Sequence, residues 1–179
     1  MAKLYFTRHG QTVWNVENKI CGMTDSPLTE TGRQQARELG RRLAEQGFAA
    51  DEILCSPLSR AADTAACISQ ATGIPCRVEP RLREQCFGRY EGTPRDGAEF
   101  RKAKERFFDH YGNGESMVEL CCRIYGLLDE LKAQKEEKTF LLVAHNGISR
   151  VVESYFREMT NEEFAAFGIR NCQIVEYEF

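Results

Sequence analysis

The sequence has 179 residues, 42% of them hydrophobic and 28% charged, and its formal net charge is -3. The length suits one domain, and the composition is that of a globular protein. A net negative charge does not favour binding to nucleic acid or to an anionic membrane. The apolar stretches are all far shorter than a membrane span. We therefore expect neither a nucleic acid nor a membrane as a partner.

The eight cysteines do not form a Cys-x-x-Cys pair, so the sequence does not predict a structural zinc site. The N-terminal apolar run is interrupted by Arg8, too early for a secretory signal. Most of the cysteines have apolar neighbours, as in Ile53-Leu54-Cys55. We expect buried free thiols and a cytoplasmic location.

Extended and helical patterns alternate along the first half of the chain. Leu4-Tyr5-Phe6 predicts a buried strand over residues 3–7, followed by a long loop over residues 8–27. Apolar residues recur at helical spacing from position 29 to position 46, where Gly47 ends the helix. Strands are predicted over residues 52–55 and 76–78. Between them, Ser56-Pro57 predicts a capped helix start, with serine on the free amides and proline at the first position.

The second half begins with an irregular stretch over residues 79–97 and a polar helix over residues 99–110. Ser116 and Glu119 form a capping-box pattern, which predicts a long helix towards Lys135. A strand over residues 139–144, helices over 148–156 and 161–167, and a last strand over 172–177 complete the chain. The alternation predicts a single domain, residues 1–179, of the α/β class. Its architecture is a three-layer α/β/α sandwich, in which a mostly parallel central sheet has helices on both faces.

Polar signatures follow three of the predicted strands. They are Arg8-His9-Gly10, Ser56-Pro57-Leu58-Ser59-Arg60 and His145-Asn146-Gly147. Because parallel strands end at one edge of a sheet, these groups are expected to converge. Arginines and helix amino termini favour an anion, and fixed donors of this kind stabilise a phosphoryl group during its transfer. A metal is disfavoured, because the paired arginines repel a cation and no carboxylate cluster joins the group.

The same residues carry a resemblance to a known family. Arg8-His9-Gly10-Gln11-Thr12 resembles the signature of the histidine phosphatase superfamily, and its phosphoglycerate-mutase-like branch is the most similar. Similar motifs continue through Asp25-Ser26-Pro27-Leu28-Thr29, Ser56 to Arg60, Leu82-Arg83-Glu84 and Val143-Ala144-His145-Asn146-Gly147. The resemblance spans nearly the whole chain.

The resemblance implies a role for each site residue and no metal or other cofactor. His9 is the expected nucleophile, and Glu84 the expected general acid and, later, general base. Arg8, Arg60 and His145 are expected to complete a catalytic phosphate pocket. The residues expected to bind substrate are Arg8, Asn15, Cys21, Gly22, Arg60, His145 and Asn146. Cys21 departs from the polar residue usual in this loop, and a thiol is a poor hydrogen-bonding partner.

Independent chemistry supports His9 in this role, because a histidine is an accepted covalent nucleophile and nearby arginines favour its neutral form. The first functional hypothesis is therefore a phosphomonoester phosphatase for a small phosphorylated metabolite, acting through a phosphohistidine. Two alternatives are a phosphoglycerate mutase and a noncatalytic phospholigand-binding domain. The substrate is not determined by the sequence, and neither is the oligomeric state, for which a homodimer is left open.

Residues 93–113 form a candidate lid that contains Arg95, Arg101, Lys102, Lys104 and Arg106. Our interpretation is a solvated basic helix face, although some of these side chains could meet a second acidic group on the substrate. Phe107, Phe108 and Tyr111 are expected to pack in the core, and His110 is expected to have no functional role.

Overall fold

A computed structural model describes residues 3–134 and 138–179 of the protein. Its five strands are β1 (Lys3–Arg8), β2 (Glu52–Cys55), β3 (Cys76–Val78), β4 (Phe140–Ala144) and β5 (Ile174–Glu178). They form one sheet in the order β3-β2-β4-β1-β5. Only β5 runs antiparallel to its neighbour, and the other three pairings are parallel.

Helices connect or follow the strands, and two short 3-10 turns cover Pro80–Leu82 and Gly88–Tyr90. The α-helices are α1 (Val13–Val16), α2 (Glu30–Glu45), α3 (Ser59–Thr72), α4 (Ala98–Lys104), α5 (Met117–Ala133), α6 (Asn146–Phe156) and α7 (Asn161–Ala166). Among residues 3–134 and 138–179, none of the helices is long and apolar enough to cross a membrane.

Alternation along β4 divides the core into two layers. Phe140 and Leu142 pack on one face of the sheet in a cluster that includes the buried side chains of α5 and α6. Leu141 and Val143 pack on the other face with those of α2 and α3. Successive side chains of a strand point to opposite faces, so an entirely apolar strand is buried from both sides. The predicted three-layer α/β/α class with a mostly parallel sheet is confirmed; a single domain over residues 1–179 stays a prediction.

The cap predicted for α3 is wrong. The helix begins at Ser59 after Leu58, which provides no side-chain cap. The Ser56 hydroxyl instead lies 2.7 Å from Nε2 of His145 and accepts from the Leu58 amide at 3.3 Å. By contrast, Ser116 and Glu119 form the predicted capping box at α5. That helix ends at Ala133, and Lys135 lies outside the described residues.

The helix predicted over residues 99–110 is also shorter than expected. α4 ends at Lys104, and the chain then turns to Tyr111, whose φ is 56°. Tyr111 is buried as predicted, in a cluster with Ile20 and Phe100 that packs this segment against the long N-terminal loop. Phe108 is 79% exposed, which contradicts its predicted core position. The N-terminal loop over residues 8–27 contains α1, a four-residue helix. The sequence did not predict this helix, because the apolar periodicity of the loop is weak.

A close approach between two backbone segments positions the residues after β1. A Cβ on Gly32 would lie 2.0 Å from the carbonyl oxygen of Gln11, and one on Gly10 would lie 2.4 Å from that of Gly32. Contacts this short require glycine on both sides. The first turn of α2 therefore packs directly against the backbone that follows the first strand.

We predict opposite effects of alanine at two helical glycines. Gly32→Ala should destabilise the protein by about 1–3 kcal/mol, because backbone must move to admit the methyl group. Gly126→Ala should stabilise it by about 0.5–1 kcal/mol, since Gly126 lies within α5 and a Cβ there meets nothing within 4 Å. Urea unfolding of both variants measures the two changes. Equal effects would contradict the packing described for Gly32.

Candidate active site

The carboxyl ends of β1, β2 and β4 meet at one edge of the sheet. Arg8 is opposite Ala144 in the parallel pairing, and the His9 amide donates to the Ala144 carbonyl at 3.0 Å. The Ser56 amide donates to the Val143 carbonyl at 3.0 Å. The rings of His9 and His145 consequently lie 5.2 Å apart between centroids. The predicted convergence of the three signatures is thus present in the structure.

A cleft opens at this edge, with a volume of about 90 Å³. It contains six of the predicted site residues together with cationic and apolar side chains that the prediction did not assign. Its lining is Arg8, His9, Asn15, Ile20, Cys21, Glu84, Phe87, Arg95, Phe100, Lys104, Asn146, Gly147 and Arg150.

His9 is almost fully buried, and its hydrogen bonding determines its tautomer. Its Nδ1 lies 2.7 Å from the carbonyl oxygen of Gly10, which can only accept, so Nδ1 carries the proton. Burial, followed by the charges of Arg8 and Arg60, lowers the pKa of His9 well below its ordinary value. The imidazole is therefore neutral at neutral pH, and Nε2 keeps its lone pair.

His145 is fully buried beneath the same site. Burial and the neighbouring charge of Arg60 lower its pKa well below the ordinary value. Its Nε2 contacts Ser56, while its Nδ1 is buried without a hydrogen-bond partner in the described part of the chain. Buried polar atoms normally have partners, so this nitrogen has capacity for one more interaction.

The two predicted arginines occupy different positions. Arg8 lines the cleft and donates from one terminal nitrogen to the Ile169 carbonyl, and burial lowers its pKa to about 10. Arg60 is only 1% exposed and donates to the carbonyls of Gly22 and Thr24 at 2.7 and 3.0 Å. Arg60 does not line the cleft. Its charge acts on both histidines, but its terminal nitrogens hold the loop above them.

Glu91 holds the same loop from another direction. Its carboxylate accepts from the backbone amides of Gly22, Met23 and Phe87 at 2.9–3.1 Å. Glu91 thereby connects residues 22 and 23 to the backbone at Phe87. Gly22, predicted to bind substrate, instead has its amide on Glu91 and its carbonyl on Arg60, and it is absent from the cleft lining.

Glu84 projects its carboxylate into the cleft from the segment after the first 3-10 turn. One oxygen accepts from the Gln85 amide and the other from the Gly147 amide, both at 2.9 Å. A Cβ on Gly147 would lie 2.4 Å from that carboxylate. The predicted acid is thus fixed against the start of α6, in the same cleft as His9.

The remaining predicted residues that line the cleft are Asn15, Cys21 and Asn146, and each already makes a contact within the protein. Oδ1 of Asn15 accepts from the Thr12 amide, and Oδ1 of Asn146 accepts from the Ile169 amide, so each side chain retains its NH₂ group for a ligand. Burial raises the pKa of the Cys21 thiol to about 11, which keeps it neutral, and its Sγ contacts the Thr24 carbonyl at 3.2 Å.

Three cations in the lining had no assigned role in the predicted site. Arg95 and Lys104 come from the segment interpreted as a solvated basic face. That interpretation is wrong for Lys104, which is half-buried, whereas Arg95 is exposed although it lines the cleft. Arg150 received no role, although its position contains a usable signal. It lies four residues after Asn146, one turn further along the face of α6 that begins at the strand end.

Residues 3–134 and 138–179 contain no group of three or more histidine, cysteine, aspartate or glutamate side chains placed to hold a metal ion. All eight cysteines are free thiols, but only Cys55 and Cys172 are buried as predicted. Cys76 and Cys122 are exposed, and the other four are partly buried.

The protein is an α/β protein with two histidines and two arginines at the ends of parallel strands. Such a cluster is suited to binding a phosphoryl group. The model of the histidine phosphatase superfamily (branch 1) matches residues 4–179. The chain therefore belongs to the histidine phosphatase superfamily, as its motifs predicted.

The relatives include proteins that are named as mutases and proteins that are named as phosphatases. A probable phosphoglycerate mutase GpmB of Erwinia tasmaniensis is 33% identical over 181 residues, which cover 97% of this chain and 83% of the relative. The mycobacterial glucosyl-3-phosphoglycerate phosphatase Rv2419c, solved with VO3, has 30% identity and a TM-score of 0.85 over 98% of this chain and 92% of its own. A putative α-ribazole-5'-P phosphatase of Escherichia coli has 26% identity and a TM-score of 0.82 over 98% and 89%.

The two buried imidazoles predict an acid limit to stability. Both pKa values are depressed in the folded state, so below about pH 6.5 the unfolded chain binds protons that the folded chain does not. Stability therefore falls as the pH decreases, with each histidine contributing about 1.4 kcal/mol per pH unit. The free energy of unfolding of His9→Asn, measured between pH 7 and 5, should have a shallower slope by about that amount. Identical slopes for the variant and wild type would contradict a neutral buried His9.

Proposed function

We propose that this protein is a phosphomonoester phosphatase for a small phosphorylated metabolite, and that it works through a phosphohistidine at His9. The observation that carries the proposal is the state of His9. Its Nδ1 is committed to Gly10, and its Nε2 is unprotonated in a cleft lined by Arg8 and Glu84. A neutral imidazole whose proton is held on the far nitrogen is ready to attack phosphorus.

The reaction divides into two displacements. In the first, Nε2 of His9 forms a bond to phosphorus, the ester P–O bond breaks, and Glu84 gives its proton to the leaving alkoxide. In the second, water attacks the phosphohistidine, Glu84 removes a proton from that water, and the P–N bond breaks. Inorganic phosphate leaves, and His9 returns to its neutral form. One carboxyl group can serve both halves because its proton is spent in the first and regained in the second.

The surrounding groups are assigned by what they can donate. Arg8 supplies fixed positive charge to the phosphoryl oxygens, and Asn15 and Asn146 supply amide donors. His145 offers Nδ1, which is buried without a partner within the described residues. Arg60 acts through its charge and through the loop that contains Cys21 and Gly22, and we retain direct contact between Arg60 and the phosphoryl group only as a prediction.

A mutase is the second candidate, and the relative named as a probable phosphoglycerate mutase favours it. Mutase and phosphatase share the phosphohistidine and differ in the acceptor, which is a second substrate hydroxyl or water. Assaying phosphoglycerates with a bisphosphorylated primer separates them: isomerisation faster than phosphate release identifies a mutase. Phosphate affinity without turnover over a broad substrate panel would identify a noncatalytic binding domain. A cytoplasmic location and a homodimer remain predictions.

We predict that purified protein hydrolyses p-nitrophenyl phosphate and that His9→Ala abolishes the reaction, because the nucleophile is lost. His110→Ala is the matched control, since this exposed histidine lies against Glu119 at 3.2 Å, outside the cleft. It should retain wild-type turnover. A radiolabelled, acid-labile phosphoenzyme should form in wild type and be absent from His9→Ala. Unchanged turnover in His9→Ala would rule out the proposed nucleophile.

Glu84 is predicted to matter differently in the two displacements. p-Nitrophenolate is a weak base and departs without a proton, whereas an alkoxide needs one. Glu84→Gln should therefore release a rapid burst of one p-nitrophenolate per enzyme and then turn over slowly, as removal of a general base slows a reaction about 10²–10⁴-fold. With glycerol phosphate there should be no burst. Glu99→Gln, an exposed carboxylate outside the cleft, serves as the control. Wild-type kinetics in Glu84→Gln would remove Glu84 from the mechanism.

A further inference from the structure

Glu84 is held by its backbone as well as by its carboxylate, and the group that holds the backbone is Arg123 on α5. The guanidinium donates from one terminal nitrogen to the Arg81 carbonyl, and from the other to the Glu84 carbonyl at 3.4 Å. Arg81 lies in the first 3-10 turn, and Glu84 follows that turn. One side chain from α5 therefore spans the segment that ends at Glu84.

The remaining bound donors of Arg123 contact a carboxylate. Nε donates to one oxygen of Glu115 at 2.6 Å, and the terminal nitrogen that faces Glu84 donates to the other oxygen at 2.8 Å. The side chains of Arg123 and Glu115 are only 13% and 12% exposed. A guanidinium has five N–H groups in a fixed plane, so the Glu115 carboxylate sets the orientation in which Arg123 meets the two carbonyls.

Glu115 is itself attached to the residues that follow Glu84. Its amide donates to the Cys86 carbonyl at 2.8 Å, and its carbonyl accepts from the Gln85 side chain at 3.0 Å. The two backbones also approach closely, since a Cβ on Gly114 would lie 2.3 Å from the Cys86 carbonyl oxygen. The segment that contains Glu84 is thus connected to the start of α5 through both backbone and side chains.

Stability of the fold does not by itself account for this arrangement. The attraction within a buried ion pair is offset by the cost of desolvating both charges, so such a pair is weak evidence of a stabilising role. An exposed pair, Arg81 with Glu130 at 2.8 Å, already links the same segment to the same helix. Arg123 adds orientation, because its planar donors specify where two carbonyls of the segment lie. The side chain of this segment that enters the cleft is Glu84.

We propose that Arg123 is a positioning residue, which holds Glu84 in the orientation from which its carboxyl group gives and regains the proton. Arg123 is absent from the cleft lining and acts through the backbone of Glu84. The inference rests on the proposed phosphatase reaction, with Glu84 as its acid and base, and adds a residue that lies outside the sequence motifs. Proton transfer takes place over a hydrogen-bonding distance, so a small displacement of the carboxyl group slows it.

The charge of Arg123 is a second effect that the test must separate from orientation. This charge lowers the pKa of His145, after burial and the charges of Arg60, His9 and Arg8. Lysine keeps the charge but presents its three donors at one atom, so it does not span two carbonyls and a carboxylate. Methionine removes both the charge and the donors. Comparison of the two substitutions therefore distinguishes orientation from charge.

The test uses two substrates whose leaving groups differ in their need for a proton. p-Nitrophenolate departs without one, whereas the alkoxide of glycerol phosphate requires one. Loss of Arg123 alone would leave the Glu115 carboxylate buried and unpaired, which is strongly destabilising. Arg123→Met is therefore combined with Glu115→Gln, which removes both charges, while Arg123→Lys is made alone and keeps a cation beside Glu115. Thermal unfolding measures how far each variant remains folded.

Both Arg123 variants should separate the two displacements. With p-nitrophenyl phosphate we expect a burst of one p-nitrophenolate per enzyme and then turnover about 10- to 100-fold slower than wild type, the cost of displacing a reacting group by about 1 Å. With glycerol phosphate, kcat should fall by a similar factor and KM by less than about twofold, because Arg123 does not touch the substrate. Partial unfolding would instead lower the burst amplitude and both rates in proportion.

Glu130→Gln is the matched control, since it removes the exposed ion pair between the same segment and the same helix. It should retain wild-type kinetics on both substrates. Wild-type turnover in the Arg123 variants, or a burst amplitude that falls in parallel with turnover, would overturn the proposal. Full activity in Arg123→Lys would also overturn it, because charge alone would then suffice. Wild-type kinetics in Glu84→Gln would instead contradict the proposed acid, so the two failures are distinguishable.

Discussion

The site depends on the parallel pairing of β1 with β4. That pairing brings the residues after Arg8 and after Ala144 side by side, so the two imidazoles lie 5.2 Å apart between centroids and His9 lines the cleft. Both are buried beside guanidinium groups, an arrangement that disfavours protonation. A solvated histidine has a pKa of about 6.5 and would be partly protonated in a cell. Burial and neighbouring cations therefore keep both imidazoles unprotonated, which is the state that the proposed role of His9 requires.

Like charges in the cleft are tolerated because other contacts hold their segments in place. Arg60 and Glu91 bind the loop over residues 22–24 from opposite directions, using charged groups on backbone carbonyls and amides. Charge-assisted bonds of this type are stronger than neutral ones. Arg60 thus combines two effects, since it secures the loop and contributes to the field on both histidines. An arginine in direct contact with solvent would contribute much less to that field.

The sequence predicted the parts of the molecule that depend on local pattern. The all-apolar β4, the capping box at Ser116 and the polar residues at strand ends each follow from spacing along the chain. Ser56 shows where such inference stops, because a cap and a partner for His145 require the same hydroxyl at the same strand end. The choice is made by a residue 89 positions away. The predictions of a helix over residues 99–110 and of a core position for Phe108 were wrong for a similar reason. Tyr111 and Phe100 hold the segment in the core, and Phe108 is left exposed to solvent.

The part of the cleft lining that lies outside the motifs is the least accessible from sequence, and Arg95, Lys104 and Arg150 show why. The sequence does not distinguish the members of the basic run Arg101, Lys102, Lys104 and Arg106. Lys104 lines the cleft because α4 ends at this residue. Arg106, two residues further on, lies beyond the helix and pairs with Asp109. Arg150 reaches the same cleft from α6, which starts directly after β4. His9, Arg8 and Glu84 lie in motifs that the sequence shows, whereas Arg95 and Lys104 enter the lining where an irregular segment packs over the cleft. Irregular segments vary more readily than the sheet of a fold, so this lining can change while the strand ends stay in place.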